Sequence, residues 1–110
     1  MEDRTWEQVD RLLAWLDEEA PPADAGDVRL LRVLKIGEEF GEVAEAIHGA
    51  TGANPRKGRS HTWEDVTAEL ADVIVTSMVA LATVTPDAQK VLGEHLDALV
   101  ERALAKPGTD

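Results

Sequence analysis

The sequence predicts an all-α protein, and three observations support this. Apolar residues recur every three or four positions along most of the chain, glycine and proline are confined to a few short stretches, and no alternating strand pattern lasts more than a few residues. The chain has 110 residues, which is enough for one hydrophobic core and hardly for two. We therefore predict a single domain, residues 1–110, folded as a four-helix bundle.

The helix boundaries follow from capping residues and helix breakers. The first helix begins at Thr5, and the second ends where Gly49 and Gly52 interrupt it. Thr62 precedes the third helix as its N-cap, and Thr85 does the same for the fourth, which has a proline in its first turn. The predicted helices span about residues 5–19, 27–48, 62–84 and 86–105.

The third helix is the most apolar part of the chain. Of the 15 residues from Leu70 to Val84, 11 are apolar, a density typical of a helix buried on most sides. The stretch is shorter than the roughly 20 residues of a membrane span, and it contains Asp72. Because four helices in a chain this short form a thin bundle, we expect a homodimer or homotetramer to provide the remaining cover.

The charge and composition exclude several classes of protein. The chain has 22 acidic against 11 basic residues, so its formal net charge is -11, which disfavours nucleic acid and anionic membranes as partners. The absence of cysteine excludes disulfides, thiolate metal sites and cysteine nucleophiles. The first ten residues are charged and lack the apolar stretch of a signal peptide, so a cytoplasmic location is the default expectation.

Two groups of acidic residues lie within predicted helices. Residues three or four positions apart share a helical face, so Glu42 neighbours both Glu38 and Glu39 on the second helix. Glu69 and Asp72 form the same kind of pair on the third helix. Each group borders the apolar stripe of its helix. Packing the two helices through these stripes would therefore bring four or five carboxylates together.

Such a cluster carries a large electrostatic cost. Two carboxylates about 6 Å apart repel by roughly 2 to 3 kcal/mol at an effective dielectric constant of 20. Four of them form six pairs, a total above about 10 kcal/mol, which is comparable to the stability of a whole domain. The cluster must be protonated, turned into solvent as an ordinary acidic face, or neutralised by divalent cations. Because the second and third helices are adjacent and both carry such pairs, we favour cations, and oxygen ligands favour Mg²⁺ or Mn²⁺.

The combined pattern resembles a known family. Glu-Glu-x-x-Glu at residues 38–42, followed after 26 residues by Glu-x-x-Asp at 69–72, is similar to the double motif of the MazG-like all-α nucleoside triphosphate pyrophosphohydrolases. The resemblance covers about residues 30–84. It implies Mg²⁺-dependent cleavage of a (deoxy)nucleoside triphosphate to the monophosphate and pyrophosphate, as in removal of unwanted nucleotides. It also implies that the metal ligands are Glu39, Glu42, Glu69 and Asp72. Because these ligands are all oxygen, Mn²⁺ is expected to substitute for Mg²⁺.

The resemblance gives Glu38 a separate role, as a further ligand or as the catalytic base that orients the attacking water. Many relatives also carry a lysine and an asparagine on the helix after the second motif. The corresponding residues 90–97 of this chain contain no asparagine and offer no convincing match.

The loop between the two acidic helices contains the only local excess of basic residues. Arg56, Lys57 and Arg59 lie in a stretch without acidic residues, and we expect them to bind the phosphates of the substrate. The alternative is a solvated loop whose charges aid solubility.

Two other functions fit parts of the sequence. A non-catalytic helical module, which pairs with itself or another protein and has lost or repurposed the site, would need neither the carboxylates nor Mg²⁺. A di-iron protein would use Glu45 and His48 as a Glu-x-x-His unit, but such sites need two of these units and this chain offers one.

Overall fold

The computed structural model describes residues 4–19, 27–53, 55–56 and 58–105. These residues form four α-helices and no strand, so the predicted all-α class is confirmed. The helices are α1 (Thr5–Glu19), α2 (Val28–Thr51), α3 (Trp63–Val84) and α4 (Ala88–Leu104).

The start of α3 is fixed by local hydrogen bonds of Thr62, which the sequence predicted as the N-cap. The Thr62 hydroxyl accepts a hydrogen bond from the Asp65 amide at 3.2 Å, and the Asp65 carboxylate accepts one from the Thr62 amide at 2.9 Å. This reciprocal pair is a capping box. The Thr62 amide also stabilises the ionised carboxylate, which lowers the pKa of Asp65.

Two of the predicted helix boundaries are wrong by a few residues. The second helix does not end near His48 but continues to Thr51, and Gly52 ends it in the left-handed conformation, with φ of 68°. Gly49 instead lies inside the helix against the ring of His61, where a Cβ atom would collide with the imidazole. At the fourth helix, Thr85 does not act as the N-cap. Its hydroxyl accepts a hydrogen bond from the Asp87 amide at 3.2 Å within a turn, and the helix begins at Ala88.

Helices α2 and α3 form an antiparallel hairpin. Near the connecting loop, small buried side chains of α2, Ala46 and Ala50, pack against Val66 of α3 and allow the helices to approach closely. α1 packs on the other end of α3, where Val9 contacts Met78 and Val79. The acidic residues therefore lie on the hairpin. α1 covers the end of the hairpin that contains the start of α2.

Arg32 links α1, α2 and α3. Its guanidinium donates to Thr83 Oγ1 at 3.1 Å and lies 2.9 Å from the Asp17 carboxylate, and its side chain is only 12% exposed. We expect Arg32→Met to lower the free energy of unfolding by about 1 to 2 kcal/mol, because a partly buried charged hydrogen bond is lost while Asp17 remains largely solvated. Urea unfolding measures this change.

A matched control for that variant is Arg29→Met. The ion pair of Arg29 with Asp27 is exposed on both sides, so its loss is expected to change the free energy of unfolding far less than the loss of Arg32 does. Equal effects of the two variants would show that the position of Arg32 between the helices contributes nothing.

α4 extends away from the other helices. It contacts chiefly α3 near the turn that joins them, and all its residues except Ala88 are exposed. The sequence predicted that α3 is buried on most sides. Within one chain this prediction is wrong, because Leu70 and Ile74 are 48% and 59% exposed. An 18-residue window of α3 has a mean hydropathy of 1.6, so by length and composition alone this helix could cross a membrane.

Candidate metal centre

Three carboxylates from the hairpin lie together at its middle. Glu39 of α2 and Glu69 and Asp72 of α3 each offer a carboxylate oxygen, and these three oxygens lie within 4.8 Å of one another. We call these residues the carboxylate cluster. It forms because Glu69 and Asp72 are one turn apart on α3, and because the antiparallel pairing places Glu39 beside them. The spacing of these residues in the sequence predicts that their side chains converge.

Glu42 interacts with the cluster electrostatically. The negative charge of Glu39, and next that of Glu69, raises the pKa of Glu42 above its usual value, and hydrogen bonding to Glu69 adds to the effect. The repulsion between carboxylates that the sequence predicts therefore acts on Glu42. Glu38, predicted as the base or as a further ligand, is exposed on α2 and is not one of the three clustered carboxylates.

Glu69 carries a polar atom that lacks a partner. Its Oε2 oxygen is buried and accepts no hydrogen bond from any residue that the structure describes. An ionised oxygen that is removed from water without a compensating donor costs more than about 1 to 3 kcal/mol. A cation held between this residue and its neighbours Glu39 and Asp72 would supply the missing interaction.

Among the residues that the structure describes, Lys35 is the cation placed at the cluster. Its Nζ lies 3.4 Å from Oε1 of Glu39, whose side chain is 14% exposed, whereas that of Lys35 is 57% exposed. The sequence pattern pointed to the loop residues, and not to Lys35, for phosphate binding. The position of Lys35 four residues before Glu39 nevertheless predicts that the two side chains are neighbours. One ammonium group cannot neutralise three or four carboxylates, so the cluster retains a net negative charge.

The basic loop lies at the end of the hairpin, away from the cluster. Glu69 lies six residues into α3, about 9 Å along the helix axis from its start, and Glu39 lies about 18 Å from the end of α2. Arg56 and Arg59 are exposed in this loop, and Lys57 lies outside the described residues. The described loop residues therefore lie away from the carboxylate cluster, although they were predicted to bind the phosphates of a substrate held there.

An apolar cleft opens beside the cluster, between α1, α2 and α3. It has a volume of about 210 Å³. Lys35 at its rim also contacts Glu39, and its α3 wall begins three residues after Asp72, so the cleft lies about one helical turn from the cluster. Trp15 is 55% exposed there. The lining residues are Leu12, Trp15, Leu16, Arg32, Lys35, Val75, Thr76 and Val79.

No model of a known protein family, no curated protein and no solved structure matches this chain. The fold and the site together define an all-α protein with a group of carboxylates at the middle of a helical hairpin. An oxygen-only donor set of this kind suits a hard divalent cation such as Mg²⁺ or Mn²⁺.

Proposed function

We propose that this chain is a Mg²⁺-dependent nucleoside triphosphate pyrophosphohydrolase that converts a (deoxy)nucleoside triphosphate to the monophosphate and pyrophosphate. One observation carries the proposal: Glu39, Glu69 and Asp72 converge around a buried Glu69 oxygen that has no hydrogen-bond partner. The resemblance of residues 38–42 and 69–72 to the MazG-like double motif supports the choice of reaction.

The chain would hold Mg²⁺ through Glu39, Glu69 and Asp72, with Glu42 as a fourth ligand. Bound Mg²⁺ supplies neutralisation of the phosphate oxygens and a lower pKa of the attacking water. Hydrolysis between the α- and β-phosphates forms one bond from water oxygen to phosphorus and breaks the bond to the leaving pyrophosphate. Glu38, exposed and one turn before Glu42, is the proposed acceptor of the water proton.

The apolar cleft is the proposed site of the nucleoside. Its lining is apolar apart from Arg32, Lys35 and Thr76, and the indole of Trp15 offers a flat surface on which a base can stack. Lys35 lies between the cleft and the cluster, where a phosphate would pass. This arrangement favours Lys35 for phosphate binding over the loop residues Arg56 and Arg59, which lie at the end of the hairpin away from the cluster.

The direct test is a panel of nucleoside triphosphates incubated with Mg²⁺ and assayed for both pyrophosphate and free phosphate. We expect pyrophosphate without free phosphate, and no product in the presence of a chelator. Release of free phosphate instead would indicate cleavage at the terminal phosphate. An absence of pyrophosphate with every substrate, in Mg²⁺ and in Mn²⁺, would contradict the proposal.

A non-catalytic interaction module is the second candidate function. The exposed apolar surface of α4 favours it, because helices of this kind pack against partners. Such a module would have no need of the carboxylate cluster. The response of its stability to Mg²⁺ therefore separates the two candidates.

Lys35→Met tests whether this lysine contacts the substrate. We expect KM for a triphosphate to rise about tenfold or more with little change in kcat, because a charge-assisted phosphate contact is worth about 1.5 to 3 kcal/mol before exposure reduces it. Steady-state kinetics measures both constants. Arg56→Ala is the comparison, and a large rise in KM for this variant alone would place the phosphates at the loop.

A further inference from the structure

The chain is far more extended than a compact monomer of its size. Its radius of gyration is 18.0 Å, whereas a compact domain of this length has about 13 Å. Its accessible surface is 8721 Å², against about 6,000 Å² expected for its mass. The excess is roughly 2,700 Å² per copy, or about 5,400 Å² for two copies, which reaches the upper end of the 2,000 to more than 5,000 Å² that obligate dimers bury in total.

Much of this surface is apolar. The core of the described residues consists of nine buried hydrophobic side chains, four of them alanine, and none of the large side chains is fully buried. In contrast, 19 large apolar side chains are exposed. A monomer rarely exposes so much apolar surface, which marks interaction sites in folded proteins.

One exposed apolar surface is a stripe along α4. Leu92, Leu96, Leu99 and Ala103 follow one another at spacings of four, three and four residues, the pattern by which a helix packs against another helix. All four are exposed, and Leu96 is 56% exposed. We call these residues the α4 stripe. The charged residues of α4 lie outside it, and they include Lys90, Glu94, Asp97 and Glu101.

The second exposed apolar surface lies on the hairpin, on the side opposite the carboxylate cluster. Val43 is buried between the helices, Glu42 lies on one side of it, and Ala44 lies on the other. The Ala44 side of α2 carries Phe40, Ala44 and Ile47 at helical spacing, and none of these residues is charged. We call this surface the outer face: it consists of the exposed Phe40 and Ile47 with the half-buried Ala44 on α2, and of the exposed Trp63, Leu70 and Ile74 on α3.

We propose that the chain forms a homodimer in which the α4 stripe of each copy packs on the outer face of the other. In each copy both the α4 stripe and the outer face are then covered, since the exchange is reciprocal. The dimensions agree: α4 has 17 residues and α3 has 22, which correspond to about 25 Å and 33 Å. The excess surface is sufficient for such an interface.

The other occupants of these surfaces are less well matched. The chain's own hairpin is not covered by its α4, because the turn at Thr85 and Pro86 directs that helix away. An anionic lipid surface would meet a chain with a net charge of -11. Two copies avoid this repulsion at the contact, since an uncharged stripe meets an uncharged face. The inference does not rest on the proposed activity, because the outer face is not the side that carries the carboxylates.

Engineered cysteines test the exchange directly, because the chain has none of its own. In the Ile74→Cys/Leu96→Cys variant, a short thiol crosslinker is expected to produce a covalent species of twice 11.9 kDa on a denaturing gel. Each single variant should remain a single chain under the same treatment. A crosslink within one chain would show that α4 folds onto its own hairpin. Crosslinking of Leu96→Cys alone would show that two α4 stripes meet each other; either result overturns the proposal.

The oligomeric state supplies an independent test. We expect light scattering to give twice 11.9 kDa for the unaltered chain at micromolar concentration, with a Tm that rises with protein concentration. Leu96→Glu should abolish the dimer or lower Tm by more than about 10 °C, whereas Ala98→Glu, which adds the same charge on the other side of α4, should change neither. A monomeric unaltered chain, or equal effects of the two variants, would overturn the proposal. None of these measurements requires turnover.

Discussion

Glu39→Gln and Asp72→Asn are each expected to reduce pyrophosphate release by at least about a thousandfold, while the metal-free protein stays as stable as before or becomes more stable. Each change removes one oxygen ligand and disables the metal on which the proposed reaction depends. Each also removes a negative charge from a cluster whose repulsion raises the pKa of Glu42. The two effects therefore have opposite signs, which distinguishes lost ligation from lost folding.

The measurement combines turnover at saturating Mg²⁺ with thermal unfolding in chelator. Glu45→Gln is the matched control, because Glu45 is an exposed acid of the same helix outside the three clustered carboxylates. Its activity should stay near that of the unaltered chain. Near-normal turnover in Asp72→Asn would remove Asp72 from the ligand set. Loss of turnover in Glu45→Gln would instead favour the Glu-x-x-His unit that Glu45 forms with His48.

Features that depend on neighbours in sequence were predictable. The capping box of Thr62 and Asp65 needs only residues three positions apart, and the structure contains it. The convergence of Glu39 with Glu69 and Asp72 was also predictable. Helical periodicity places each group at the edge of an apolar stripe, and a short connection makes α2 and α3 antiparallel neighbours.

Features that depend on long-range packing were not predictable. Gly49 resembles a helix terminator in sequence, but it accommodates the ring of His61, which is 12 residues away. The basic residues of the loop are conspicuous as a group, although the single Lys35 is the one that contacts a clustered carboxylate. The periodicity of α4 predicts an apolar stripe without indicating whether it covers its own chain or another.

Addition of Mg²⁺ is expected to raise Tm by about 10 °C or more at neutral pH, when its concentration exceeds the dissociation constant a hundredfold. Binding to the folded state alone contributes about 2.7 kcal/mol under these conditions, and each kcal/mol shifts Tm of a domain of this size by roughly 4 to 8 °C. Differential scanning fluorimetry with Mg²⁺, Mn²⁺ and chelator measures the shift. Asp72→Asn should lose it, and Glu45→Gln should keep it.

The shift should also depend on pH in a defined direction. The pKa of Glu42 is higher in the folded protein than in the unfolded chain, where it is near 4.5, so the folded state binds this proton more tightly. The stabilisation from this proton is complete below the unfolded pKa, and it is lost as the pH rises through the raised folded pKa. Mg²⁺ competes with the proton on Glu42, so the Mg²⁺-dependent rise in Tm should be larger at neutral pH than below pH 4.5. A Tm that ignores millimolar Mg²⁺ at neutral pH would mean that the carboxylates form a solvated acidic face, and the interaction module would then be the better account of this chain.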